Sequence, residues 1–349
     1  MAEQKRAVAL ISGGLDSMLA ARVILQQGIH VEGVNFFTGF CVEGHTHAIR
    51  EKKQRKPLRN NALWVAEQLG IKLHIIDVID EYKDVLLNPK HGYGQHLNPC
   101  LDCKIFMVRK AQAWSFMENN GFDFIITGEV IGQRPKSQRK ATMPIIARES
   151  GAEDRLLRPL CAKHLPPTLP EREGWVDRDA LYAFHGRSRK PQIALAREFG
   201  FSEWSQPAGG CCFLTNEDYA QKLTDLWRAR GARDYELDDI MLLKVGRHLR
   251  PKPHFKVIVG REHGENNYLE GYRSSFISLK PASHMGPMAL IDGTPEAQDI
   301  DLAARMVGRY SQGREASTVT VEVRFCDGAI KLLTVQPLRS EQIPAEWYV

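Results

Sequence analysis

Ala7-Val8-Ala9-Leu10-Ile11-Ser12-Gly13-Gly14-Leu15-Asp16-Ser17 is the stretch on which the fold is decided. Ala7 to Ile11 is a short apolar run with branched residues, the pattern of a strand buried on both faces. The turn SGGLDS follows at once, and Met18 to Gln27 reads as a helix. Two consecutive glycines permit a tight turn and a close approach of backbone to ligand. Backbone N–H groups at such a turn, joined to a helix N-terminus, form an anion site, to which Ser12 and Ser17 add hydroxyls. Asp16 cannot hold phosphate by its own charge, so a Mg²⁺ ion between it and the phosphates is expected. By spacing alone, a glycine-rich connector with a polar cap reads the same way. The turn lacks the lysine of G-x-x-x-x-G-K-[ST] and the spacing of G-x-G-x-x-G, which argues against those two phosphate-binding patterns.

Working outward, His30 to Phe37, Lys72 to Val78 and Phe122 to Thr127 read as three more strands. Helices are expected around Leu63 to Leu69 and from Ile105 to Asn119. Strands alternating with helices imply a parallel sheet covered on both faces. Helices are also expected at Pro191 to Phe199 and Asn216 to Arg230. The texture changes near Tyr235. Phe255 to Val259, Met288 to Ile291, Ser317 to Val323 and Ile330 to Val335 read as strands of a smaller α+β domain. We therefore expect domains at 1–234 and 235–349.

SGGLDS after a first strand resembles the PP-loop of the ATP pyrophosphatase superfamily. The resemblance implies an adenine-nucleotide alpha hydrolase-like (HUP) sheet and cleavage of ATP to AMP and pyrophosphate. It also implies that Ser12, Gly13, Gly14, Asp16 and Ser17 hold the pyrophosphate end of ATP. Thr127-Gly128-Glu129 closes the fourth strand, at the carboxyl edge where open α/β sheets bind ligands. Gln133, Arg134, Ser137 and Gln138 follow it. The resemblance places Thr127, Gly128, Glu129 and Gln133 in the nucleotide and substrate site.

The seven cysteines are Cys41, Cys100, Cys103, Cys161, Cys211, Cys212 and Cys326. An odd number in a large chain without a secretory leader argues against a disulfide framework. Cys100 and Cys103 form a C-x-x-C read as lying just ahead of a helix, where the thiolate is favoured. Cys211 and Cys212 follow two glycines. Three readings fit these residue types: a 4Fe–4S cluster on three thiolates, a structural zinc ion on Cys100, Cys103, Cys211 and Cys212, and a dithiol. NPCLDCK, TGEVIGQRPKSQ, LLRPL and GGCCFLTNEDYA together resemble the stand-alone PP-loop proteins related to tRNA 4-thiouridine synthetases. That resemblance covers roughly residues 6 to 230. It implies a cluster on Cys100, Cys103 and the cysteine three residues before a threonine, which is Cys212. Cys41, Cys161 and Cys326 match no such pattern and read as core or surface thiols.

The net charge is +5. Basic runs occur at Arg50 to Arg59, at Arg134 to Lys140 and at Arg187 to Lys190, and such runs suit a phosphate backbone. The tail sequences LLKVGRHLR and FKVIVGREHGENNYL are similar to the NFACT-type RNA-associated domain. This similarity implies an RNA surface of Arg247, His248, Arg250, Lys252 and Lys256. His45-x-His47 lacks a further ligand at metal spacing. No stretch approaches the ~18 apolar residues of a membrane span, and Met1 to Arg6 lacks a signal-peptide pattern. The cytoplasm is thus the expected location. The expected activity is ATP-dependent thiolation of a tRNA uridine. Its sulfur would come from sulfide or from a carrier such as a cysteine desulfurase, and a second copy of the chain is a candidate partner. The alternatives are adenylation of a small molecule or another base chemistry, and a non-catalytic RNA-binding protein.

Overall fold

Strand β1 (Arg6–Leu10) is the centre of the first sheet, and the reason lies in its sequence. Ala7, Ala9 and Ile11 pack on one face with Met18, Leu19 and Val23 of helix α1 (Leu15–Leu25). Val8 packs on the other face with Leu101, Ile105 and Val108 of a second helix. A strand covered on both sides cannot alternate polar and apolar residues, and RAVAL does not. The structure, a computed structural model, describes residues 4–42, 60–115, 120–204 and 212–349. Among these residues the chain forms two compact units, one ending at Cys212 and the other beginning at Phe213.

The first unit holds β1, β2 (His30–Phe37), β3 (Leu73–Asp77), β4 (Phe124–Ile126) and β5 (Leu156–Leu157) in the order β3-β2-β1-β4-β5. All four pairings are parallel, with Ala7 opposite Val31 on one side and Phe124 on the other. The order reverses between β1 and β4, which makes the gap beyond their carboxyl ends the switch point where such sheets bind ligands. The helices are α1, α2 (Asn61–Leu69), α3 (Ile79–Leu87), α4 (Cys100–Ser115), α5 (Met143–Ser150), α6 (Leu169–Arg172) and α7 (Lys190–Glu198). Asn60 caps α2 by accepting from the Ala62 and Leu63 N–H groups. Gly70 ends it in the left-handed region at φ 65°, a conformation that costs glycine little. Leu19 is fully buried beneath the sheet, so Leu19→Ala would cost about 2–5 kcal/mol.

Helix α4 begins at Cys100, five residues earlier than its periodicity predicts. Pro99 suits the approach to a helix because it has no N–H to leave unpaired, and its carbonyl accepts the Cys103 N–H at 2.8 Å. The C-x-x-C therefore lies inside the first turn rather than ahead of it. Strand β5 is only two residues long, too short for any alternation to betray it.

The second unit starts with α8 (Glu217–Arg230) and α9 (Leu237–Leu242). It continues through β6 (Arg247–Lys252), β7 (Phe255–Val259), α10 (His263–Glu270), β8 (Ile277–Pro281), β9 (Ala289–Gly293), α11 (Ala297–Arg309), β10 (Val319–Arg324) and β11 (Ile330–Val335). The six strands form an antiparallel sheet, β11-β10-β8-β9-β7-β6. Ala303, Ala304, Met306 and Val307 of α11 cover one face, against Phe255, Val257 and Val321. A parallel α/β unit followed by a smaller α+β unit is the expected architecture. Strands β6 and β8 escape the sequence reading because proline and basic residues interrupt their alternation. No helix among the described residues is long and apolar enough to cross a membrane.

Candidate active site

The site is assembled from the segments that leave the carboxyl ends of four neighbouring strands. After β1 the chain turns through Ser12 to Gly14. Gly13 sits at φ 76°, in the region that favours glycine. Ser17 Oγ donates to the Gly14 carbonyl at 2.8 Å and accepts the Ser12 N–H at 3.3 Å, so the loop is closed on itself across the start of α1.

After β4 the chain passes Thr127, Gly128 and Glu129. A Cβ on Gly128 would lie 2.4 Å from the Asp16 carbonyl carbon and the Ser17 nitrogen. Only a residue without a side chain lets this segment press against the turn. Glu129 is 1% exposed. Its Oε2 accepts from Arg158 Nε at 2.9 Å and from Thr127 Oγ1 at 3.2 Å. Burial pushes this carboxyl up, but the charges of Arg158 and Lys104 outweigh it and hold the carboxyl below the usual range.

Asp16 is treated differently. Gln133 Nε2 donates to its Oδ2 at 2.6 Å, and Gln192 Nε2 of α7 donates in turn to Gln133 Oε1 at 3.0 Å. Asp16 Oδ1 is buried with no hydrogen-bond partner. Burial raises the Asp16 carboxyl above its ordinary value, against the Gln133 hydrogen bond and the more distant charges of Arg189 and Arg134. A buried carboxylate oxygen with nothing to accept from is costly. It is the kind of group a hard divalent cation satisfies, so the donor set fits Mg²⁺.

Three of the cysteines act on one buried tyrosine. Tyr82 of α3 is 2% exposed. Burial first, then Cys103, Cys212 and Cys41, hold its hydroxyl well above the usual tyrosine range, and Cys103 is hydrogen-bonded to it. Cys41 lies on the segment leaving β2, and its Sγ is 3.6 Å from Thr38 Oγ1. Cys212 Sγ is 3.8 Å from Asn98 Oδ1. Cys100 Sγ donates to Ser137 Oγ at 3.2 Å. Cys161 is buried against the Glu129 carbonyl, and burial pushes its thiol up to about 11. Among the described residues, no three His, Cys, Asp or Glu side chains converge as a ready metal site, and no disulfide is formed.

One segment ties the two groups together. Residues 128–138 press on Asp16 through Gly128, bond it through Gln133, and meet Cys100 through Ser137. The Gly132 N–H donates to the Gln138 carbonyl at 2.6 Å, closing that segment as a loop. The phosphate turn and the start of α4 therefore touch opposite ends of a single loop.

Sequence reasoning missed Cys41, Tyr82, Asn98, Arg158 and Gln192. Cys41, Tyr82 and Gln192 have no motif around them, whereas Asn98 and Arg158 lie within NPCLDCK and LLRPL without standing out there; only packing brings all five to the site. Cys41 in particular joins the other thiols, which its sequence context gave no sign of. Cys211, the histidines at 45 and 47, and the basic run from Arg50 to Arg59 lie outside the described residues.

In the second unit the expected RNA surface needs correction. His248 and Lys256 are each 1% exposed. Lys256 Nζ lies between Asp225 at 3.7 Å and Asp292 at 3.4 Å. Arg250 forms a two-pronged pair with Asp225, and Lys252 bonds Asp299 at 2.6 Å. Lys256 and Arg250 are drawn inward to carboxylates, whereas the Lys252 side chain stays 43% exposed while pairing with buried Asp299. Arg247 remains exposed, with its guanidinium 5.3 Å from the centre of the Tyr310 ring.

Residues 5–150 match the family described as tRNA methyl transferase HUP domain. Residues 246–348 match the family described as NFACT protein RNA binding domain. The tRNA-specific 2-thiouridylase MnmA of Sulfurimonas denitrificans is 30% identical over 130 residues, 36% of this chain and 35% of that protein. The enzyme of the same name from Flavobacterium johnsoniae is 32% identical over 132 residues, 36% of this chain and 31% of that one. The chain spans about a third of the length of the curated relatives it matches. Among solved structures, a 4-thiouridine synthetase–RNA complex with bound ATP aligns over 61% of this chain and 46% of its own, at 21% identity and a TM-score of 0.40. The front of the chain thus matches a HUP-domain family and its tail an NFACT-type RNA-binding family.

Proposed function

We propose that this protein is an ATP-dependent tRNA sulfurtransferase that adenylates a uridine carbonyl oxygen and replaces it by sulfur. The observation that carries the reading is the loop 128–138, which contacts the phosphate turn at one end and the C-x-x-C helix at the other. The thiouridylases matched by the front of the chain, and the RNA-binding family matched by its tail, support tRNA as the substrate.

A uracil carbonyl oxygen is a poor leaving group, and AMP is a good one. In the proposed first step that oxygen attacks the α-phosphorus of ATP and pyrophosphate departs. Backbone N–H groups of Ser12 to Ser17 and the N-terminus of α1 would receive the departing charge. Asp16 would carry Mg²⁺ on its unpartnered oxygen, oriented by Gln133 and Gln192. Thr127 and Gly128 would line the nucleotide, with Glu129 bracing the wall through Arg158. In the second step a hydrosulfide sulfur adds to the activated carbon, AMP leaves with the original oxygen, and the S–H proton is released. Placing sulfur and adenylate on neighbouring loops would contribute by proximity.

The finer part of the proposal concerns the thiols. Cys100 and Cys103 are one turn apart on α4, on the same side of the helix, and Cys212 joins Cys103 at Tyr82. A 4Fe–4S cluster on these three would need Cys100 released from Ser137, and would then supply a Lewis-acidic site for sulfide. No step above depends on it.

The test is anaerobic incubation of the full chain with tRNA, ATP, Mg²⁺ and sulfide, followed by nucleoside mass spectrometry and pyrophosphate assay. Thiouridine formed together with equimolar AMP and pyrophosphate is the expected result. Pyrophosphate release with no sulfur in the RNA, or no ATP cleavage at all, overturns the proposal.

A further inference from the structure

Cys41 and Cys212 face each other as an isolated antiparallel bridge. Residues paired in this way have Cα atoms about 4.5–5.5 Å apart, with side chains on the same face. That separation falls inside the window of roughly 4.4–6.8 Å within which two cysteines can be joined. Cys41 lies on the segment that leaves β2, and Cys212 is 171 positions away by its number, so chain proximity does not explain the pairing. Each thiol is partly exposed, within reach of a small reagent. Thr38 Oγ1 lies 3.6 Å from Cys41 Sγ and Asn98 Oδ1 lies 3.8 Å from Cys212 Sγ.

The other thiols compete on different terms. Cys100 and Cys103 are three residues apart in the first turn of one helix, a C-x-x-C spacing that can itself close a disulfide, so their link is the chief rival outcome. Cys100 also donates to Ser137. Cys161 is fully buried against the Glu129 carbonyl. Cys103, the remaining competitor, shares the Tyr82 hydroxyl with Cys212 but is fixed on α4 rather than paired across a bridge.

We propose that Cys41 and Cys212 are a reversible redox pair, a modification site in which oxidation joins the two facing chain segments. The step removes one hydrogen from each thiol and forms the Sγ–Sγ bond. Two electrons and two protons pass to an oxidant of the peroxide, disulfide or diazene class, and a dithiol reverses the change. In the joined form Cys212 is withdrawn from the thiols assigned to sulfur transfer. That consequence rests on the function proposed above, whereas the bond itself does not.

Full-length protein is treated with diamide under denaturant-free conditions, alkylated, and digested without reductant for fragmentation mass spectrometry. The expected product is a Cys41–Cys212 crosslinked peptide as the major species, lost on treatment with dithiothreitol. A dominant Cys100–Cys103, Cys103–Cys212 or Cys41–Cys211 link overturns the proposal, as does retention of all thiols in reduced form. In Cys41→Ser, Cys212 should stay alkylatable after the same treatment; loss of its alkylation there would also count against the pairing. The mapping on unmodified protein needs no folded variant. It also decides the question when no thiolation is detected, so failure of the redox pair and failure of the sulfurtransferase reading are told apart.

Discussion

The two units bury carboxylates in opposite ways. In the tail, each buried aspartate meets a cation. Asp225 holds Arg250 and Lys256, and Asp299 holds Lys252 and His254. In the front, Glu129 and Asp16 each keep one buried oxygen unbonded, but Glu129 is ion-paired with Arg158 whereas Asp16 is bonded only by an amide. A paired carboxylate is a structural element, since removing its partner leaves a charge in a poorly solvating site. An unpaired one is stored cost that a ligand relieves. The contrast separates a scaffold charge from a working one within a single chain.

Four substitutions break or sharpen this contrast. The largest effect is expected from Glu129→Ala, which strands the Arg158 guanidinium, itself 5% exposed. A loss of about 3–5 kcal/mol is expected, read by urea denaturation; a loss below about 1 kcal/mol would mean the pair is dispensable. Next is Gly128→Ala. The added methyl meets backbone of Asp16 and Ser17 rather than a flexible side chain tip, so the turn must shift. Overpacking of this kind costs about 1–3 kcal/mol, and ATP should no longer raise the melting temperature. Retention of the ATP-induced shift would show that the turn does not hold the nucleotide.

Asp16→Asn is expected to act in the other direction on stability. The folded carboxyl is raised above 3.8 by burial, so the folded state binds the proton more readily than the unfolded chain does. Its ionisation then destabilises the fold as pH rises through 3.8 and up to the raised value, and the cost persists above that. The variant should melt higher than the parent near neutral pH, the gap should close on acidification, and the Mg²⁺-ATP stabilisation should disappear. A lower melting temperature for the variant at neutral pH would contradict the reading of Asp16 as an unrelieved charge.

The smallest effect is expected at Lys222 in the tail, where burial lowers the ammonium to about 8 from 10.5. Between those values the unfolded chain holds the proton that the folded state has released. This group therefore adds stability as pH rises from 8 to 10.5. Lys222→Met should remove that rise and change neutral-pH stability by about 1 kcal/mol, because the lost bond to the Gly246 carbonyl offsets part of the gain. An unchanged pH profile between parent and variant would exclude the assignment.

The parts of the fold legible beforehand were those with strong local patterns. β1, β2 and β7 are apolar runs, and α8 carries an Asn216 cap and a Gly231 stop that any chain would obey. The short β5 and the basic β6 were not legible, because their pairing is set by neighbours rather than by their own alternation. Basic residues in the tail misled for a related reason. A lysine in sequence carries no sign of the carboxylate it will meet, and Lys256 meets two.

The sequence alone determined the phosphate turn, since two glycines between a buried strand and a helix restrict the backbone locally. It also determined the C-x-x-C spacing and the change from a parallel α/β front to an α+β tail. Only the tertiary structure decided which side chains converge on that turn. Gln192 and Arg158 come from distant segments, and Cys41 comes to Cys212 from another strand's end. Residues far apart in the chain meet when parallel strands bring their carboxyl ends to one edge, and no local pattern records that meeting.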